Sequence, residues 1–259
     1  MDSNIERFVK SIEFLREMFM EMDNIINPIM GISDWDDSVC IEFGKKKLLI
    51  SIDGPYTKRL VMKSALIHAS TDVVVKGGKP LFCLDALIGK RDDIIDMAES
   101  LKIQALEMRI PILGGNTLFE DIDSRCSIAV IGELLIDEPI RDSNAKSDDI
   151  LILIGNPIWG NQYERIKKAK NLFKTWYEIL NSGIRINASK DVTKGGLIPT
   201  IYEMSQKSGK KFNINKDLKV PLTRNLDNFL LSVPKESTDI IIEMCMRNNC
   251  PYHKIGYVE

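Results

Sequence analysis

The stretch ASTDVVVKGGKP, residues 69–80, sets a lone carboxylate, Asp72, against three valines and closes on a glycine pair between Lys76 and Lys79. Upstream, Leu60, Ser64, Ile67, Thr71 and Val74 recur at three- and four-residue steps, the spacing of one helix face. Downstream, PLFCLDALIG (80–89) is an unbroken apolar run, the pattern of a strand. The stretch is therefore where a helix hands the chain to a strand, and the valines weaken the helical reading towards its end.

Working outward, SVCIEF (38–43) and KLLISID (47–53) predict two strands around Gly44, and DDIIDMAESLKIQALEMRI (92–110) a helix that is acidic in its first turn, as the helix dipole favours. PILGGNT and SRCSIAVIGELL predict two further strands around a glycine turn. The order over 38–137 is β-β-α-β-α-β-β. Before it, residues 4–22 predict one amphipathic helix on Ile5, Phe8, Ile12, Leu15 and Phe19.

After it, the polar DEPIRDSNAKSDD (137–149) marks a boundary, since proline and small polar residues cluster in connections. The second half predicts the strand ILILIG (150–155), a long helix (161–181) and a loop SKDVTKGG opening the helix LIPTIYEMSQKSG. Three short strands and one more helix follow. The expected fold class is α/β (α+β) with two domains. An N-terminal helix and linker (1–33) precede an N-terminal domain (34–137), a mixed sheet with helices on one side, and a smaller C-terminal α/β domain (149–259) follows.

Of the 259 residues 44% are apolar and 28% charged, with a formal net charge of −2. That balance fits a globular chain and gives no basic surplus for nucleic acid. The five cysteines form no C-x-x-C pair, so structural zinc and a disulfide framework are not expected. The N-terminus has no uninterrupted apolar core, so neither a signal peptide nor a membrane span is expected. The cytoplasm is the expected compartment.

G-x-x-x-x-G-K-[ST] and G-x-G-x-x-G are both absent, and His68 and His253 are the only histidines. What remains is carboxylates at strand ends or beside glycine turns: Asp36, Asp37, Asp53, Asp72 and Asp191. Such acids can form the oxygen cage magnesium prefers. Glycine turns at Gly77-Gly78, at Gly114-Gly115-Asn116-Thr117 and at Lys194-Gly195-Gly196 would let backbone N–H groups approach phosphate. Lys76, Lys79, Lys190 and Lys194 could neutralise its charge. Each acid taken singly is more often a helix cap or a solvated turn than a ligand. His68, one turn before Asp72, reads either as a hydrogen-bonded structural histidine or as a general base. Trp176 reads as core and Trp159 as a residue lining a cleft.

The motifs DWDDSVCIEF, LLISIDGPY, HASTDVVVKGGKPLFCLDAL, ILGGNTLFED with SIAVIGEL, and SKDVTKGGLIPTIYEMSQKSG occur in this order over residues 34–209. In that order they resemble the AIR (aminoimidazole-ribonucleotide) synthase-related superfamily. The resemblance implies ATP and Mg²⁺ as cofactors, phosphoryl transfer to an unknown small-molecule or protein acceptor, and a homodimer whose N-terminal sheets join into a barrel. It also implies that Asp36, Asp37, Asp53, Asp72 and Asp191 are metal ligands. Gly77, Gly78, Gly114, Gly115, Asn116, Thr117, Lys194, Gly195 and Gly196 match its nucleotide-binding positions, and Asp72 and His68 are the catalytic candidates.

The chain departs from the pattern at Trp35, at Lys194 and at Asn116, where an acid often stands, and its second domain is short. No single activity of the superfamily is matched. The alternative is a non-catalytic nucleotide-binding or scaffold homologue of the same fold.

Overall fold

The structure, a computed structural model, describes residues 3–259. Its frame is two five-stranded sheets with one helix wedged between them. The first sheet holds β1 (Val39–Phe43), β2 (Lys46–Thr57), β3 (Gly78–Gly89), β4 (Ile112–Phe119) and β5 (Arg125–Leu134), in the order β1-β2-β5-β3-β4. Only β3 and β4 run parallel. A parallel pair needs a crossover, and here the connection is a helix, α6 (Arg91–Met108).

Along β5 burial alternates strictly, with Cys126, Ile128, Val130 and Leu134 packed beneath α6 and the helices α4 (Lys58–Val61) and α5 (Ala65–Val75). The opposite face is uncovered but not polar. Phe43, Ile52, Leu84 and Leu118 stand exposed on it, brought into one patch by the registers Ile52↔Ala129↔Leu84↔Gly114.

The second sheet holds β6 (Ile150–Ile154), β7 (Ala188–Asp191), β8 (Phe212–Ile214), β9 (Phe229–Val233) and β10 (Tyr252–Val258), in the order β7-β9-β6-β10-β8, and every pair is antiparallel. Helices α7 (Gln162–Asn181) and α9 (Lys235–Arg247) cover one face and α8 (Leu197–Ser208) the other. Because both faces are buried, β9 reads FLLSV with every residue inside, a continuous run in place of alternation.

Helix α7 starts on a reciprocal cap. The Asn161 side chain accepts from Glu164 N at 3.0 Å, and Glu164 accepts from Asn161 N at 2.7 Å. It satisfies two of the orphan donors of a helix start.

Helix α5 belongs to both halves. Leu66, Ala69 and Val73 pack into the first core, whereas Ile67, Val74 and Val75 pack with Trp176 and Phe229 in the second. A helix that is apolar nearly all round lies between layers rather than on a surface. Trp176, expected as core, is fully buried, and its indole N–H donates to Val74 O at 2.6 Å.

Four expectations are corrected. Residues 4–22 form not one helix but α1 (Ser3–Val9), a 3-10 turn and α2 (Glu13–Phe19), followed by a second turn and α3 (Asp23–Ile26). Ile12 and Phe19 of that segment are exposed, and the side chain of Phe8 lies outside the described residues. The single helix expected through Leu60, Ser64, Ile67, Thr71 and Val74 breaks at residues 62–64 between α4 and α5. Gly114–Thr117 form no turn but sit inside β4, because their backbone pairs in register with β3 from Leu84 to Leu87. Residues 189–191, expected as loop, lie in strand β7, held by β9.

Candidate functional site

Three polar residues at four-residue intervals, His68 and Asp72 on α5 and Lys76 at its C-cap, fall on one side of the helix, as helical geometry requires. His68, Thr71 and Lys76 reach from this helix to residues of the second half. His68 Nδ1 lies 2.6 Å from Asp227 Oδ1, with both side chains buried. Thr71 Oγ1, beside Asp72, donates to Asp191 Oδ2 at 3.0 Å. Lys76 Nζ donates to Ser189 O at 2.6 Å, and Ser189 Oγ returns a bond to Val75 O at 2.6 Å. The seam between the two halves is thus a polar strip inside an apolar wall.

At the Lys76 end the strip is a closed ionic cluster. Lys76 Nζ is 2.5 Å from Asp36 Oδ1 and 3.0 Å from Asp37 Oδ2. Lys190 Nζ also bonds Asp37 and lies 3.4 Å from Asp142 Oδ2. Lys207 Nζ lies 2.9 Å from the same Asp142 oxygen and 3.0 Å from Glu203 Oε1. Burial works to discharge the two inner lysines, but the acids around them outweigh it and raise both above the ordinary lysine value. Asp37 is held well below the usual carboxylate range, the pull of Lys190 and Lys76 exceeding the opposite effect of its burial.

At the Asp72 end the carboxylates form no ion pair among the described residues, although Lys190 offsets part of the charge of its neighbour Asp191. Burial raises Asp72 well above the usual range, with Asp191, Asp37 and Asp53 adding repulsion. Asp191 is pushed up to about 8, by burial first and by Asp37 second. Asp72 Oδ2 accepts from Ser51 Oγ at 2.7 Å, while Asp53 accepts from Gly54 N at 2.6 Å and Tyr56 OH at 2.5 Å.

These acids form the floor of a cleft of about 800 Å³, with Arg59, Lys63, Arg165, Lys194 and Arg224 among its walls and Trp159 at its rim. The indole N–H of Trp159 donates to Asn225 O at 3.1 Å, which fixes the ring. The volume is that of a small-molecule site.

Of the expected site residues, Asp37, Asp53, Asp72, Asp191, His68 and Lys194 line this cleft. Asp36 lies in the ionic cluster. Gly77 and Gly78 are buried against the first core. A side chain on Gly77, at φ 95°, would strike Ile136, and one on Gly78 would strike Leu49 and Val73, so both turn the chain into β3. Gly195 and Gly196 precede α8, with Gly196 at φ 85° as its N-cap. Gly114, Gly115, Asn116 and Thr117 are exposed along β4 and do not line the cleft.

Lys190, expected to offset phosphate charge, is buried in the ionic cluster, while Lys79 is exposed at the start of β3. The residues that sequence reasoning missed are Asp142, Glu203, Lys207, Asp227 and the cleft arginines. Asp142 lies in a stretch read only as a boundary, and Asp227 carries no local motif. A sign existed only for Glu203 and Lys207, which stand four apart on α8 and so share a face.

A fit to magnesium follows from the donors. Asp53, Asp72 and Asp191 are hard oxygen ligands on the cleft that form no ion pair among the described residues, so a divalent cation suits them, although their oxygens, unlike those of Asp36, Asp37 and Asp142, do not all lie within 4.8 Å of one another. Asp36 is already paired with an ammonium.

Residues 35–134 match the model for the AIR synthase related protein, N-terminal domain, and residues 156–259 that for its C-terminal domain. An uncharacterized protein of Methanocaldococcus jannaschii is 41% identical over 94% of this chain and 82% of its own length. The selenide, water dikinase of Caldanaerobacter subterraneus is 27% identical over 76% of this chain, which spans 62% of that enzyme. Among solved structures, the hydrogenase maturation protein HypE in complex with ATP shares the fold with a TM-score of 0.67. Its sequence identity is 16%, over 87% of this chain and 80% of that one.

Proposed function

The chain belongs to the AIR synthase related family, and from that premise we propose that it binds ATP with Mg²⁺ in the cleft between its two sheets and transfers a phosphoryl group to an acceptor. The observation that carries this reading is the pairing of an acidic floor without ion pairs, Asp53, Asp72 and Asp191, with a basic wall. Acids alone would repel a polyphosphate and bases alone would not need a metal, whereas together they suit a metal–nucleotide complex. That a selenide, water dikinase and an ATP-bound maturation protein lie among its relatives in sequence and fold supports the same reading.

Asp53, Asp72 and Asp191 would hold the metal, with Ser51, Tyr56 and Thr71 orienting their carboxylates. Bound there, Mg²⁺ would neutralise charge on the phosphate oxygens. Arg59, Lys63, Arg165, Lys194 and Arg224 attract and orient phosphate groups, and Trp159 offers a flat face at the rim for an aromatic base. The work of such a site is positioning and electrostatics rather than attack by a protein nucleophile.

The active form in this reading is a homodimer that buries the exposed apolar face of the first sheet. An uncovered patch of that kind on a sheet marks an interaction surface. Gly114 and Asn116 lie on the same face as Leu84, so pairing of two copies would cover them too.

A second reading, nucleotide binding without transfer, is favoured by Asp36, which the ionic cluster withdraws from metal binding. Calorimetric titration with a non-hydrolysable ATP analogue, with and without Mg²⁺, tests both. Magnesium-dependent heat is the expected result, and its absence at high ligand concentration would overturn both readings. ADP release from ATP with an added acceptor then separates transfer from binding alone.

A further inference from the structure

Asp36, Asp37 and Asp142 each offer a carboxylate oxygen within 4.8 Å of the other two, the dimension of a three-ligand cation cage. The space between them is already used. Lys76 Nζ bridges Asp36 and Asp37, and Lys190 Nζ bridges Asp37 and Asp142. Two ammonium groups carry the charge of one divalent cation. Resting on the nucleotide reading above, we infer that Lys76 and Lys190 replace a metal ion at this cage, so that the chain keeps a single metal position, on Asp53, Asp72 and Asp191.

The arrangement is built for permanence. Lys76 is fully buried and Lys190 nearly so. Their stems run from opposite halves of the molecule, Lys76 from α5 and Lys190 from β7. Lys76 donates one N–H to Ser189 O at 2.6 Å, so its head is held by one hydrogen bond as well as by the ion pairs to Asp36 and Asp37. The third lysine, Lys207, closes the outer side of Asp142.

A buried acid that loses its only counter-charge is strongly destabilised, so these lysines also join the two halves without any metal. At the other end of the same strip Asp72 and Asp191 form no ion pair, and that contrast divides the acidic residues into a set paired with lysines and an unpaired one.

Mn²⁺ binding to the full-length chain, followed by electron paramagnetic resonance of the free ion with and without a non-hydrolysable ATP analogue, tests this. Beyond any ion carried by free nucleotide, the wild type is expected to take up one Mn²⁺ per chain. Asp36→Asn and Asp142→Asn should leave that affinity within about threefold, whereas a lost ligand costs about tenfold or more. The double substitution Lys76→Gln with Lys190→Gln should gain a further Mn²⁺, and a third change, Asp142→Asn, should abolish the gain.

Uptake of two ions by the wild type, a tenfold loss in Asp36→Asn, or no gain in a double variant that keeps its circular-dichroism spectrum would each overturn the inference. If the double variant does not fold, the two asparagine variants decide. Should the wild type take up no Mn²⁺ with or without nucleotide, the nucleotide reading fails, while a gain in the double variant would still establish that lysines fill the cage.

Discussion

His68 Nδ1 and Asp227 Oδ1 lie 2.6 Å apart across 159 residues of sequence, joining α5 to the loop before β9 with both side chains shut off from solvent. Burial works to lower the imidazole's proton affinity, but the Asp227 carboxylate and its hydrogen bond outweigh it, and the group is raised above its ordinary value. The contribution of this pair to stability is therefore complete below about pH 6.5, the unfolded value, and is lost as pH rises through the folded value. Denaturant titrations across pH 5.5 to 9 should show wild type losing stability with rising pH more steeply than His68→Gln. Parallel profiles would show that the pair does not titrate in this range.

Asp191 carries the opposite kind of burden. Its proton is held up to about 8, so over roughly pH 4 to 8 the folded state keeps a proton that the unfolded state has released. Stability of the metal-free protein falls across that interval. Asp191→Asn removes the repelling charge and should stabilise the metal-free protein at pH 8 by about 1 kcal/mol or more. The same substitution should weaken Mg²⁺-nucleotide binding at least about tenfold. Thermal melts and calorimetry on one preparation check both, and a variant that is less stable yet binds nucleotide normally would refute the assignment.

Asp72→Asn should likewise weaken the Mg²⁺-dependent part of nucleotide binding by about tenfold or more and leave the fold intact. Ser51 Oγ, now its donor at 2.7 Å, can serve the amide oxygen as well. Unchanged titration heat would remove Asp72 from the site.

Sedimentation velocity addresses the uncovered sheet face. Phe43 and Leu84 are 68% and 41% exposed on it, so Phe43→Glu or Leu84→Lys costs little within one copy. Wild type should sediment as a dimer and either variant as a folded monomer. A monomeric wild type at tens of micromolar would argue against pairing through this face.

Removing the α7 cap with Asn161→Ala should cost about 1 kcal/mol, read as a shift in denaturation midpoint with unchanged slope. A null effect would mean that packing of Trp176, Phe173 and Leu172 alone sets the helix start.

Local pattern decided much of this protein. Helical spacing located α6 to α9, and apolar runs bounded by glycine or proline located β3, β6 and β9, because periodicity reports which side of an element is buried. It was mute where the same residues suit two conformations. Gly114-Gly115 reads as a turn, yet hydrogen bonds from β3 hold it extended, and Gly115 is required there because any side chain would strike Asp85. The break at residues 62–64 has no breaker residue to announce it, and its neighbours' packing imposes it.

For the site, the sequence by itself determined the set of acids and their order along the chain. Only the tertiary structure decided their roles. Asp36 and Asp72 look alike as residues beside apolar segments, and they differ because the end of α5 delivers the Lys76 ammonium to one while the other forms no ion pair. Counter-charge inside a protein acts over a few ångströms, a scale set by how two sheets pack across one helix. Sequence separation carries no trace of it, as the pairing of His68 with Asp227 shows.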